Sequence, residues 1–154
     1  MKRIGYLAFF LFINFGSLAL GSLLMSDGPS SEWYQNLNKA PWNPPGWLFG
    51  VAWTIIMICF SIYLTFLFTI RNSKYVKTLF VIQVLLNIVW NYWFFNQHLT
   101  MVALINIILL TLLIAYFFIS FRDNTLSNVR MLLLPYLIWL SLATSLNAYI
   151  VLYN

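Results

Sequence analysis

Gln83, Asn87 and Asn91 recur every fourth residue in apolar sequence, with Trp90 on the same side. On a helix that spacing makes one polar stripe. Other amides stand apart in apolar surroundings: Asn14 with Ser17 and Gly21 at i+3 and i+7, Asn106, and Asn147 with Trp139 and Ala143 at i−8 and i−4. Amides donate and accept hydrogen bonds but do not exchange protons near neutral pH, so their chemistry is binding. Indoles form the second group. Four of the seven tryptophans, Trp33, Trp42, Trp47 and Trp53, fall within 21 residues, and Tyr34 adjoins the first. An aromatic belt at a membrane surface would spread over both interfaces and several helices; this cluster sits on one loop and one span end, which suits a wall or lid for a flat apolar ligand.

No nucleophile–His–acid set can be assembled, since the one histidine, His98, lies outside the apolar runs. No His/Cys/Asp/Glu cluster has metal-ligand spacing, so neither a metal nor a cofactor is expected. The single Cys59 allows no intrachain disulfide. Binding remains, together with redox or photochemistry that uses Trp and Tyr.

The elements that must position these groups follow from composition. Residues of the set AVILMFWYC make up 62% of the 154-residue chain, and charged residues only 7%. A soluble domain carries about 25% charge, and a disordered chain needs low hydrophobicity. A lipid-embedded protein is what remains. Five apolar runs span roughly 4–25, 47–70, 76–96, 100–121 and 131–152. Apart from Lys77 in the first turn of the third, none holds Asp, Glu, Lys or Arg. About 20 helical residues cross the roughly 30 Å hydrocarbon core. Barrel strands would alternate in polarity over about ten residues, and these runs do not. The first run exceeds the usual 7–15 residues of a signal-peptide core, so it reads as a retained span.

The net charge is +5. Its short basic clusters between spans form no stripe for phosphates, so nucleic acid is not an expected partner. Alternate loops sum to +6 (Lys2, Arg3, Arg71, Lys74, Lys77, Arg122, Asp123, Arg130) and −1 (Asp27, Glu32, Lys39). The positive-inside rule then predicts a cytoplasmic N-terminus and an outside C-terminus. Intramembrane ionisable groups, usual in proton relays and coupled transporters, are missing.

Most connections are short, which favours antiparallel neighbours. The exception is 26–46, and loops of that length are usually functional or disordered. This one is too aromatic for disorder. Ser30 or Ser31 is placed to cap a short helix running to Lys39, and Pro44-Pro45 suits the first turn of span two. Pro135 is expected to kink span five. The amides are expected to point inward, because an unsatisfied polar group in lipid costs several kcal/mol. Two roles stay open for them: joints between helices, worth about 0.6–2 kcal/mol each, or contacts to a ligand.

The stretch Trp33-Tyr34-x-x-Leu37-x-Lys39-x-x-Trp42-x-Pro44-Pro45-x-Trp47, followed by Trp53, resembles the signature of the TspO/MBR family. That family comprises the bacterial tryptophan-rich sensory proteins and the mitochondrial translocator protein, formerly the peripheral benzodiazepine receptor. Leu86-Asn87 with Trp90 resembles its third helix, and Pro135-Tyr136-Leu137-x-Trp139-x-x-x-Ala143-Thr144-x-Leu146-Asn147 its fifth. The resemblance covers essentially the whole chain.

It implies a single membrane domain over 1–154: an all-α bundle of five transmembrane helices with a long, partly helical loop between the first two. It further implies homodimers in a bacterial cytoplasmic membrane, with the loop closing a pocket for porphyrins, haem-related tetrapyrroles or isoquinoline-type ligands. The expected lining is Trp33, Tyr34, Trp42, Pro44, Pro45, Trp47, Trp53, Asn87, Trp90, Asn91, Asn106, Trp139, Ala143 and Asn147. The implied role is tetrapyrrole sensing or regulation. Some bacterial members degrade protoporphyrin in light, and the two tryptophans implicated there match Trp53 and Trp139. The alternative is a transporter of porphyrins or other amphipathic, lipid-like molecules.

Three departures stand out. Lys39-Ala40-Pro41-Trp42 displaces the usual proline after the lysine. No Lys or Arg follows Tyr149, as the animal sterol motif requires. Asn106 stands where some members carry an acid.

Overall fold

The structure is a computed structural model that describes residues 2–122 and 125–154. Asp123 and the side chain of Lys2, both counted in the charge balance, lie outside what it describes. The described chain is helical, without strands, and five of its helices are long and apolar enough to cross a membrane. They are α1 (Lys2–Leu24), α3 (Gly46–Ile70), α4 (Lys74–Asn91), α5 (Thr100–Ser120) and α6 (Leu134–Tyr153). A short α2 (Glu32–Asn36) lies in the long loop between α1 and α3.

Local chemistry sets the ends of these elements. The Ser31 Oγ accepts the Tyr34 N–H at 3.3 Å and donates to the Gly28 carbonyl at 2.8 Å, which caps α2. Helix α2 ends at Asn36, short of the expected Lys39. Gly28 has φ +51, a left-handed turn that glycine adopts freely. Ser73 caps α4 in the same way, accepting the Val76 N–H at 3.2 Å. Pro45 precedes α3.

Pro135 falls in the first turn of α6, after a 3₁₀ turn over Val129–Leu133. A first-turn residue needs no intrahelical N–H bond, so the helix starts there without losing one. Helix α4 runs on into a wide turn, Tyr92–Asn96, closed by an i→i+5 bond from Gln97 N–H to the Tyr92 carbonyl at 3.0 Å.

The spanning helices close into a ring. Helix α1 packs on α3 and α4, α5 packs on α4 and α6, and α6 with its lead-in turn closes on α3. The outer face is apolar and uncovered: Phe12 is 77% exposed, Leu112 61% and Ile138 69%. Water would not tolerate that face, so lipid is its solvent and the chain is a multi-pass integral membrane protein.

Amides join the helices pair by pair. Asn14 Nδ2 donates to Ser61 Oγ at 2.8 Å, linking α1 to α3. Asn106 Nδ2 donates to the Leu86 carbonyl at 2.9 Å, linking α5 to α4. Asn147 Nδ2 donates to the Thr100 carbonyl at 3.0 Å, linking α6 to α5. Gln83 Nε2 donates to the Tyr136 hydroxyl at 2.9 Å, linking α4 to α6. Each bond is worth about 0.6–2 kcal/mol in lipid.

The bundle is solid at one end and hollow at the other. At the end holding the N-terminus of α1, Phe10, Phe60, Phe80, Phe117 and Tyr136 are buried. Their rings meet edge to face, Phe10 on Phe80 at 5.2 Å and Phe60 on Tyr136 at 5.4 Å. The cavities inside the bundle lie toward the opposite end.

Candidate functional site

A deep cavity of about 110 Å³ sits between all five long helices. Its aromatic wall is Phe49 and Trp53 of α3, Trp90 of α4 and Trp139 of α6. Ser17 and Ser22 of α1 and Asn87 and Asn91 of α4 supply polar groups. The stripe read from the sequence thus ends inside the cavity, while its lower member, Gln83, is a helix joint. A wider chamber of about 670 Å³ adjoins the cavity beneath the long loop and shares Ser22, Phe49, Trp53, Trp90 and Asn91 with it. Pro29, Tyr34, Lys39, Pro44 and Pro45 roof the chamber. On the α3 side, Gly46 and Gly50 leave bare backbone, where an added Cβ would meet nothing within 4 Å. A recess of about 40 Å³ holds Tyr34, Phe95 and Asn147, and Ala143 borders both it and the deep cavity.

Each indole is held by its neighbours. Trp53 meets Tyr136 edge-on at 5.9 Å, and Trp139 meets Phe49 edge-on at 5.1 Å. Trp90 stacks on Phe94 at 5.1 Å and donates its N–H to Asn147 Oδ1 at 3.2 Å. All three indoles line the deep cavity.

The amides divide by partner. Asn147 is engaged on both sides of its amide. Asn87 makes a long contact of 3.5 Å to Ser17 Oγ. Asn91 has no hydrogen-bond partner among the described residues. Its carboxamide rests against Gly21, where a Cβ would come within 2.6 Å of Asn91 Nδ2. Glycine at position 21 therefore lets α1 approach α4 and leaves the Asn91 amide beside the cavity.

The loop is pinned at three places. Trp33 stacks on His98 at 4.0 Å and meets Phe94 edge-on at 5.6 Å. Trp42 donates its N–H to Ser145 Oγ at 3.1 Å and meets Tyr149 edge-on at 5.6 Å. Asn38 N–H donates to Asn154 Oδ1 at 2.8 Å, and Asn154 Nδ2 donates back to the Asn38 carbonyl at 3.2 Å.

Trp33 and Trp42 thus fasten the loop rather than line a cavity, and Trp47 points outward at 69% exposure. Asn106 also lies away from the open volume, as a joint between α5 and α4. The remaining expected residues border the cavity, chamber or recess.

Sequence reasoning did not single out Phe49, Ser22, Met25 or Lys39 as site residues. Phe49 sits one turn before Trp53, and Ser22 two turns after Asn14, so helical phase carried the signal for both. No residue lining the deep cavity is ionisable. In the chamber, Lys39 Nζ lies 4.6 Å from the Tyr34 ring centroid and donates to the Gln35 carbonyl at 3.2 Å. Burial pushes the Tyr34 phenol up from a value already well above neutral pH.

Known proteins share this sequence pattern. The chain is 35% identical to the tryptophan-rich protein TspO of Chlorobaculum tepidum over 126 residues, covering 77% of each. It is 34% identical to the tryptophan-rich sensory protein of Cereibacter sphaeroides over 128 residues, 82% of this chain and 77% of the relative. The translocator protein of Homo sapiens is 28% identical over 126 residues, 78% of this chain and 73% of the relative. Residues 8–153 match the TspO/MBR family as a whole, and with five spanning helices closed around a tryptophan-walled cavity the chain belongs to that family.

Proposed function

We propose that this protein binds a porphyrin-type tetrapyrrole under the loop and acts in tetrapyrrole sensing or regulation. The carrying observation is a free amide, Asn91, in a volume walled by Trp53, Trp90 and Trp139. Flat indole faces favour a flat aromatic ligand, and one unpartnered amide fixes its orientation. The chamber of about 670 Å³ falls within the usual range of about 300–1,000 Å³ for ligand sites. The macrocycle lies in the chamber with one edge toward the deep cavity. Lys39, the cation of the roof, meets its carboxylates. Relatives named as sensory and translocator proteins are consistent with a bound small molecule as signal or cargo.

The test is titration of protoporphyrin into the purified protein in nanodiscs, in darkness and under light. Saturable quenching of tryptophan fluorescence with a shifted porphyrin absorbance is expected in darkness. A protein-dependent product under light adds turnover to binding. Spectra that the protein leaves unchanged refute the proposal.

A further inference from the structure

A second open volume lies on the outer surface at the solid end of the bundle. It is a groove of about 480 Å³ between α1 and α4. Its walls are apolar and uncovered: Phe9 is 52% exposed, Val81 53% and Leu85 55%. One end of the groove is polar, with Lys77, Asn72 and Tyr6. Asn72 Nδ2 donates to the Tyr6 hydroxyl at 3.0 Å. The hydroxyl thus accepts from Asn72 and keeps its own proton to donate. The Lys77 ammonium has no ion-pair or hydrogen-bond partner among the described residues.

We infer that this groove is a binding site for one anionic phospholipid, separate from the ligand cavity. An acyl chain lies along Phe9, Val81 and Leu85, and the phosphate meets the Lys77 ammonium and the Tyr6 and Asn72 donors. Three features on the surface select this occupant. The groove is long and apolar and faces the hydrocarbon. Its polar end lies in the first turn of α4 and the connection before it, at headgroup depth, where the positive end of the helix dipole adds to the Lys77 charge. The surroundings are basic, with Arg71 and Lys74 beside it in sequence and Asp27 and Glu32 in the loop at the other end of the bundle. Basic pockets between spanning helices recognise anionic headgroups in this way.

Native mass spectrometry of the full chain in detergent tests the site, with phosphatidylglycerol and phosphatidylcholine of identical chains as probes. The wild type is expected to retain phosphatidylglycerol at least five-fold better. Lys77→Gln removes that preference and leaves phosphatidylcholine retention and the thermal midpoint unchanged. Lys74→Gln, outside the groove, keeps the preference within two-fold. Val81→Trp, which fills the groove, lowers retention of both lipids. Equal losses for Lys74→Gln and Lys77→Gln make the effect diffuse charge and overturn the site. A Val81→Trp protein that changes its monomer–dimer ratio and holds lipid as before overturns it in favour of a second copy.

Discussion

Asn91 and Asn106 are both amides on membrane-spanning helices, and their surroundings assign them opposite roles. Asn106 is 6% exposed and donates to the Leu86 carbonyl at 2.9 Å. Asn106→Leu removes one interhelical bond. The Leu86 carbonyl sits inside α4 and keeps its helical partner, so the loss is close to the bond alone, about 1 kcal/mol. Asn91→Leu removes no protein hydrogen bond, and leucine keeps the branch at Cγ that rests on Gly21. Its expected cost in stability is near zero. Its cost in binding is one ligand hydrogen bond, about 1 kcal/mol, or roughly five-fold in affinity. Reversible unfolding in mixed micelles gives the stability difference, and protoporphyrin titration by tryptophan quenching gives the affinity. The expected pattern is crossed: Asn106→Leu destabilises with affinity unchanged, and Asn91→Leu weakens binding with stability unchanged. An Asn91→Leu protein that loses stability and binds normally refutes the assignment of Asn91 to the ligand.

Four other outcomes follow from the geometry. Asn154→Ala breaks both bonds to Asn38, so exchange of the Asn38 amide and porphyrin dissociation should each accelerate about five-fold for about 1 kcal/mol lost; unchanged exchange rejects the clasp. A cysteine at Asn36 in a Cys59→Ser background should react with an impermeant label in intact cells, and labelling of the 71–77 connection instead reverses the orientation. Ala143→Phe fills space between the deep cavity and the recess, and should lower porphyrin affinity at least ten-fold with the thermal midpoint within a few degrees; equal affinity removes Ala143 from the site. Trp53→Phe and Trp139→Phe should keep porphyrin affinity within a few-fold and lose most light-dependent conversion; conversion that survives both changes locates the chemistry on the porphyrin alone.

The spanning helices were legible because lipid imposes one rule, uninterrupted apolar sequence, that each run obeys. The inward amides were legible for the same reason, since their burial follows from the cost of facing lipid. The choice between joint and ligand contact was not, because it depends on partners far along the chain. Asn106 finds Leu86 and Asn14 finds Ser61, and no local spacing announces either pair. The wide turn at Tyr92–Asn96 was hidden by its composition, because Tyr92, Trp93, Phe94 and Phe95 in a row leave no period to distinguish α from π winding. The loop's path depends on Ser145, Tyr149 and Asn154, more than 100 residues on, so its aromatic density favoured a lid over a belt without showing which rings fasten it. The structure divides that density: Trp33 and Trp42 fasten the loop, Trp47 faces outward, and Trp53 enters the cavity.

The same division limits the chemistry at the hollow end. The deep cavity is lined by indoles, amides, hydroxyls and hydrocarbon, none of which gives or takes a proton near neutral pH. Lys39 and Tyr34 belong to the roof, and burial pushes the Tyr34 phenol up from a value already well above neutral pH. General acid–base catalysis on a ligand deep in the bundle thus lacks its groups. An excited porphyrin needs none of them, because it can pass energy to oxygen or exchange an electron with an adjacent indole. The protein's part is then to hold the ring, admit oxygen and set which edge faces Trp53 and Trp139, as for any ligand that carries the hard chemistry itself. Binding and photochemistry call for the same wall of flat, oxidisable rings. The spectra in darkness and in light, taken on Trp→Phe variants that keep the ring but resist oxidation, are therefore what separates a receptor from an enzyme.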